Sequence, residues 1–139
     1  MKTILEILKK VGGWHHGLYL RIENPPFMAL VIVATDESGP CGLPVLSIAH
    51  YGEQNGDLMR DPEMCFELSN PLRLGLSLAP YLWRNDYVGI EQFSRSIQGD
   101  NYVFDSDLYA QHENFAAQWD RNLRSQGFVE AFDRRHTQR

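Results

Sequence analysis

Cysteine is scarce: Cys41 and Cys65 are the only two in 139 residues. A pair so far apart builds neither a disulfide scaffold nor a four-ligand zinc site. Each reads as a small buried apolar residue, a common use of the free thiol. Long hydrophobic runs are missing too. No apolar stretch reaches the roughly 18–20 residues that span a bilayer, so no membrane association is expected. The opening residues MKTILEILKKVGGW carry a charge every few positions and lack the continuous apolar centre of a signal peptide. A cytoplasmic address is the simplest expectation. A basic stripe is also absent. Residues 36–113 hold thirteen acids against four arginines, a net −9, while the first 35 and the last 26 residues each sum to +2. Direct nucleic-acid binding, which needs a basic groove, is therefore not expected. The chain has no internal repeat, no low-complexity tract and no complete catalytic signature.

What is present is one soluble domain. An apolar fraction of 43% and a charged fraction of 22% belong to a globular chain of a length that buries a real core. Residues 1–133 are read as a single α+β domain and residues 134–139 as a polar, frayed tail. Thr3-Ile4-Leu5-Glu6 has the form of a capping box, and Ile4, Leu5, Leu8 and Val11 give a helical stripe that Gly12-Gly13 ends. Trp14, His15 and His16 read as a turn. Leu18, Leu20 and Ile22 alternate with polar neighbours, the period of a half-buried strand. Asn24-Pro25-Pro26 turns the chain into Phe27–Ala34, apolar on both faces and placed centrally. Asp36–Gly42 is expected to be a loop.

Leu43–Tyr51 is the next strand, with Leu46, Ile48 and His50 in line on one face. Asn55-Gly56 is a strong type I′ turn signal, because that turn needs positive φ at both central residues. Asp61-Pro62 suggests a further bend. Met64, Phe66 and Leu68 are then expected to point inward, with Glu63, Cys65 and Glu67 outward. Leu72, Leu74, Leu76 and Leu78 share a face of another strand, which Pro80 should break or bulge. Tyr81–Asp86 reads as a turn, Tyr87–Ile97 as a strand, and Tyr102–Phe104 as a short edge strand after a hairpin at Gly99-Asp100-Asn101. Asp105 or Ser106 caps a last helix carrying Leu108, His112, Phe115, Ala116, Trp119 and Leu123, with Gly127 at its end and Phe128, Val129 and Phe132 adding a turn. The expected architecture is an antiparallel meander sheet of about six strands, one face covered by an N-terminal and a C-terminal helix.

Candidate chemistry concentrates between His50 and Met64. His50, Glu53, Asp57 and Asp61 make an oxygen-rich set suited to a divalent metal such as Mg²⁺, Mn²⁺ or Ca²⁺. The spacing is not that of a calcium loop: with Gly56 as the sixth position, Pro62 falls where a glutamate is required. Acid–base catalysis by His50 with a carboxylate pair is a second reading. A hairpin tip whose Asn55, Asp57 and Asp61 bond their own backbone, with Arg60 paired to a nearby acid, is the favoured one. Trp83, Arg84, Asp86 and Tyr87 form a second cluster, in which aromatics flank an Arg–Asp pair as in a protein-binding hot spot or a packed edge.

Three segments, AHYGEQNGDLMRDPEM, RNDYVGIEQ and NFAAQWDRNLRSQGF, resemble a family of small uncharacterised proteins encoded by bacterial plasmids, conjugative elements and related mobile DNA. The resemblance runs from about Leu18 to Phe128. It implies a cytoplasmic accessory protein of a mobile element, of a kind that binds host or element machinery, defence systems included. It carries no catalytic residues with it.

The leading expectation is a non-enzymatic binding protein without a cofactor. Glu53, Asn55, Asp57, Arg60 and Asp61, with Trp83, Arg84, Asp86 and Tyr87, would engage a protein partner with a basic surface. A metal-dependent hydrolase or nuclease on His50, Glu53, Asp57 and Asp61 is the alternative. A homodimer through an edge such as Tyr102–Phe104 is a third reading.

Overall fold

A computed structural model describes residues 1–70 and 75–137. Helix α1 (Lys2–Lys10) precedes six strands: β1 (Tyr19–Asn24), β2 (Phe27–Ser38), β3 (Pro44–Gln54), β4 (Asp57–Ser69), β5 (Ser77–Asn85) and β6 (Ile90–Phe93). These pair in sequence order as one antiparallel meander. Strands β7 (Arg95–Gln98) and β8 (Asn101–Phe104) form a separate two-stranded sheet, and helices α2 (Ser106–Ser125) and α3 (Phe128–Thr137) follow. The α+β meander expected from hydrophobic period is what the chain adopts.

Period two sets which face each strand residue takes. Leu20 and Ile22, Leu30 and Ile32, Leu46 and Ile48, and Met64 and Phe66 all fall on one face. Against them pack Ile4, Ile7 and Leu8 of α1, Ala116, Trp119 and Leu123 of α2, and Phe128, Ala131 and Phe132 of α3. Each fully buried aliphatic or aromatic side chain there contributes roughly 1.5–3 kcal/mol. Among the described residues no helix is long and apolar enough to cross a membrane.

Several local expectations change. Tyr81–Asp86 is not a turn: Tyr81 to Asn85 complete β5, and the reversal falls at residues 86–89. The strand expected over Tyr87–Ile97 is divided at Ser94, whose amide bonds Tyr81 O and whose carbonyl accepts from Asp105 N. That break turns β7 out of the main sheet, so Tyr102–Phe104 edges the small sheet and not the large one. The bulge expected at Pro80 lies one residue on. Cys65 faces Leu82 and Phe66 faces Pro80, leaving Tyr81 as the extra residue. Of the leucine strand, Leu72 and Leu74 lie outside the described residues. Strand β2 also continues to Ser38, beyond the expected loop boundary at Asp36.

The helix ends are corrected as well. No side chain of its own caps α1, whose N-cap is Met1. Instead Asp120 Oδ1 accepts from Thr3 N at 2.8 Å, and Glu6 pairs with Arg124 at 2.6 Å. The first turn of one helix is thus capped by another, 117 residues on. Asp105 caps α2 as expected, accepting from Leu108 N at 3.1 Å. The proposed tail boundary at 133/134 falls inside α3, where Arg135 Nη1 donates to Arg21 O at 2.7 Å.

Glu63, Cys65 and Glu67 do point away from the helices, but they are not solvated. All three are buried. The second face is covered there by the 39–43 loop and by β7, which supplies Arg95. Cys41, expected to be buried, is exposed.

Candidate functional site

Two hairpin tips lie side by side. The first reverses at Asn55-Gly56, with φ of 53° and 84°, the positive pair that a type I′ turn requires. Gln54 then faces Asp57, and Glu53 faces Leu58. The second joins β5 to β6 through residues 86–89.

Arg60 ties the two together. Its guanidinium grips Asp86 in a bidentate pair, Nε to Oδ2 and Nη2 to Oδ1, both at 2.9 Å. The backbones repeat the clamp: Arg60 N donates to Asp86 Oδ2 at 2.8 Å, and Asp86 N donates to Arg60 O at 2.9 Å. Hydrogen bonds from Arg60 hold the Asp86 carboxyl below its ordinary value of 3.8. Such fork-to-fork pairs fix geometry as well as energy. Asn85 Nδ2 adds a bond to Asp61 Oδ1 at 2.8 Å. Tyr87 lies over Gly52, where a Cβ would stand only 2.1 Å from its hydroxyl oxygen. A side chain at position 52 would push that ring aside.

Behind the clamp sits a buried carboxylate. Glu63 accepts from Ser47 Oγ at 2.5 Å and from Arg84 Nε, with Arg60 Nη1 at 3.8 Å. Arg84 also reaches Glu91 at 3.3 Å. The neighbouring Cys65 thiol is pushed up to about 12 by burial, so it stays protonated and is a poor nucleophile. A cleft of about 450 Å³ opens on this face, with Glu37, Tyr81 and Phe93 among its walls.

The structure therefore gathers Arg60, Asp61, Arg84, Asp86 and Tyr87 from the sequence list. Glu53, Asn55 and Asp57 stand at the adjoining tip. Trp83 goes elsewhere: it turns to the helix face and meets Phe115 edge-on, ring centres 5.7 Å apart. Its indole Nε1 is buried without a hydrogen-bond partner among the described residues. His50 also leaves the cluster. It ends the core row on the helix face, Nδ1 bonded to Ala29 O at 3.1 Å and Nε2 accepting from Trp119 Nε1 at 3.2 Å. That pair fixes a neutral ring with the proton on Nδ1, and burial lowers its pKa. A bulge explains the separation: Asp61 and Pro62 together oppose His50, so the register shifts between Ala49 and Tyr51. Among the described residues no three His, Cys, Asp or Glu side chains are placed to hold a metal ion. His50, Glu53, Asp57 and Asp61 do not form a coordination set.

Sequence reasoning missed Glu67 and Arg95. Glu67 Oε2 accepts from Cys41 N at 2.9 Å and Leu43 N at 3.2 Å, and Arg95 Nη1 lies 2.7 Å from its Oε1. That last contact joins the charges without the alignment of a hydrogen bond, which leaves Oε1 otherwise unbonded. Arg95 donates instead to Pro80 O and Ala79 O, both at 3.1 Å. Period two marked Glu67 as facing away from the core; no local signal marks what covers that face.

A family model described as a domain of unknown function (DUF6908) matches residues 2–129. No curated protein and no solved structure matches the chain.

Proposed function

The chain belongs to the DUF6908 family, a domain of unknown function, and we propose that it is a non-enzymatic binding protein acting through the joined hairpin tips. The observation that carries this reading is the Arg60–Asp86 clamp and what it presents. Loop tips in soluble proteins are ordinarily polar and mobile. Here a bidentate ion pair and two bonds donated by backbone amides hold them in one arrangement, with Leu58 72% and Val88 62% exposed and Tyr87 beside them. Rigid apolar and aromatic side chains ringed by charge are the makings of a protein interface. Glu53 and Asp57 flank them with no ion-pair partner among the described residues. A partner with a basic surface completes this patch, since opposite charge steers encounter and sets register.

The likeness to proteins of plasmids and conjugative elements supports a cytoplasmic accessory role against host or element machinery, defence systems included. That support is context, not geometry. The test is capture of a partner by the immobilised chain. The expected complex weakens as salt rises and is lost with Asp57→Lys and with Val88→Asp, while Glu113→Gln on α2 leaves it intact. Capture that is insensitive to salt and untouched by both tip substitutions overturns the reading.

A further inference from the structure

We propose that the protein forms a two-fold dimer by antiparallel pairing of β8 with the same strand of a second copy, Tyr102 opposite the partner's Phe104. The argument starts from the backbone. In an antiparallel ladder, hydrogen-bonded and non-bonded pairs alternate. Asp105 N bonds Ser94 O at 2.9 Å, and the register runs Arg95 to Phe104, Ser96 to Val103, Ile97 to Tyr102 and Gln98 to Asn101. Counting by two from Ser94–Asp105, the bonded pairs are Ser96–Val103 and Gln98–Asn101. Tyr102 and Phe104 therefore turn their N–H and C=O groups away from β7, toward the open side.

Among the described residues nothing occupies that side. Strand β8 pairs only with β7, all four of its residues are exposed, and no backbone bond between elements uses Tyr102 or Phe104. Besides shortness, which β8 with four residues has, the usual protections of a free edge are a charge pointing inward, a proline or a bulge. Asn101-Tyr102-Val103-Phe104 has none of them.

The occupant is a second copy because the edge is complementary to itself. Centring the two-fold on Val103 sets Tyr102 and the partner's Phe104 as a hydrogen-bonded pair, and symmetry repeats it, giving four bonds. The same register stacks Tyr102 on the partner's Phe104 across the strands, an aromatic pair of the kind that stabilises sheets. Ile97 continues this face, and all three side chains are about half exposed. The face carries no free charge, since its one guanidinium, Arg95, is buried on Glu67. Tyr102 and Phe104, each about half exposed, offer roughly 100 Å² each. With Val103 and the ladder the total over both copies stays below about 1,000 Å², in the range of weak, transient interfaces. A weak, concentration-dependent dimer is the consequence.

Sedimentation of the full chain from micromolar to millimolar concentration reads this directly. A monomer–dimer equilibrium is expected, and rising salt does not weaken it, because Asp100 and the partner's Asp105 approach across the axis. Tyr102→Lys, with unchanged circular dichroism, should shift the midpoint at least tenfold upward. In a Cys41→Ser background, Val103→Cys should cross-link between copies on mild oxidation, because a non-bonded pair brings its Cα atoms to about 4.5 Å; Ser96→Cys should not. A monomer at millimolar concentration overturns the proposal. So does a dimer that survives Tyr102→Lys and leaves Val103→Cys unlinked. The hairpin tips lie at the other end of β6, so Tyr102→Lys leaves tip binding intact and the two proposals fail separately.

Discussion

Replacing Glu67 by Gln isolates the interaction that joins the small sheet to the large one. The side chain is 1% exposed and Arg95 is also buried, at 7%, with Nη1 2.7 Å from Glu67 Oε1. Removing one partner of a buried ion pair costs about 3–5 kcal/mol, mostly because the other charge is left uncompensated. Two features lower that figure. Glutamine keeps an acceptor for Cys41 N and Leu43 N, and Arg95 retains the carbonyls of Pro80 and Ala79. The expectation is therefore a loss of about 3 kcal/mol, a large share of the roughly 5–15 kcal/mol that holds a domain together. At this chain length it corresponds to a Tm lower by roughly 10 °C. Urea unfolding followed by circular dichroism measures it, and a double-mutant cycle with Arg95→Met extracts the coupling. The two changes together should cost about 2 kcal/mol less than their sum, because neither charge is then stranded. A Glu67→Gln protein within about 1 kcal/mol of wild type, or a coupling near zero, refutes the argument.

Two further outcomes follow from the helix face. Asp120→Ala removes the acceptor for Thr3 N and should cost about 1 kcal/mol in the same urea titration, the ordinary worth of an N-cap; an unchanged midpoint would mean that α1 needs no such cap. Stability should also fall on acidification below about pH 6.5, the ordinary histidine value. Burial lowers the pKa of His50 and of His112 in the fold, so the unfolded chain takes up protons first. That contribution is whole above pH 6.5, drains away as pH drops toward the folded values, and is constant below them. The Asp86 carboxyl acts in a separate window beneath pH 3.8. Unfolding midpoints from pH 7.5 to 5 check this, and His50→Gln should flatten part of the slope; a flat wild-type profile would contradict it.

Much of the fold was legible because it is written locally. Alternation in Leu18–Glu23 and Leu43–Tyr51, and the Asn55-Gly56 turn, each need only neighbouring residues. What period two cannot say is what lies over the second face. Glu63, Cys65 and Glu67 were correctly turned from the core, yet their covers come from Ser47, Arg84, Arg95 and the backbone at Cys41. The same limit applied at the candidate site. Arg60 was expected to pair with a nearby acid, but the acid is Asp86, 26 residues on. His50 was placed at the end of a core row, which it is; its partner Trp119 lies 69 residues away. The capping box failed for a related reason: the distant Asp120 carboxylate takes the Thr3 amide that the Glu6 carboxylate was expected to accept from.

The cap that Asp120 places on Thr3 has a meaning for how the chain is made. Helix α1 packs on α2 and α3 as well as on the sheet, so part of its support is synthesised last. At about 5–20 residues per second, the 117 residues between cap and helix take roughly 6–23 s to translate. Through that interval Ile4, Ile7 and Leu8 have no finished surface to lie on. The stripe that later becomes core is, on the ribosome, an exposed hydrophobic segment of the nascent chain.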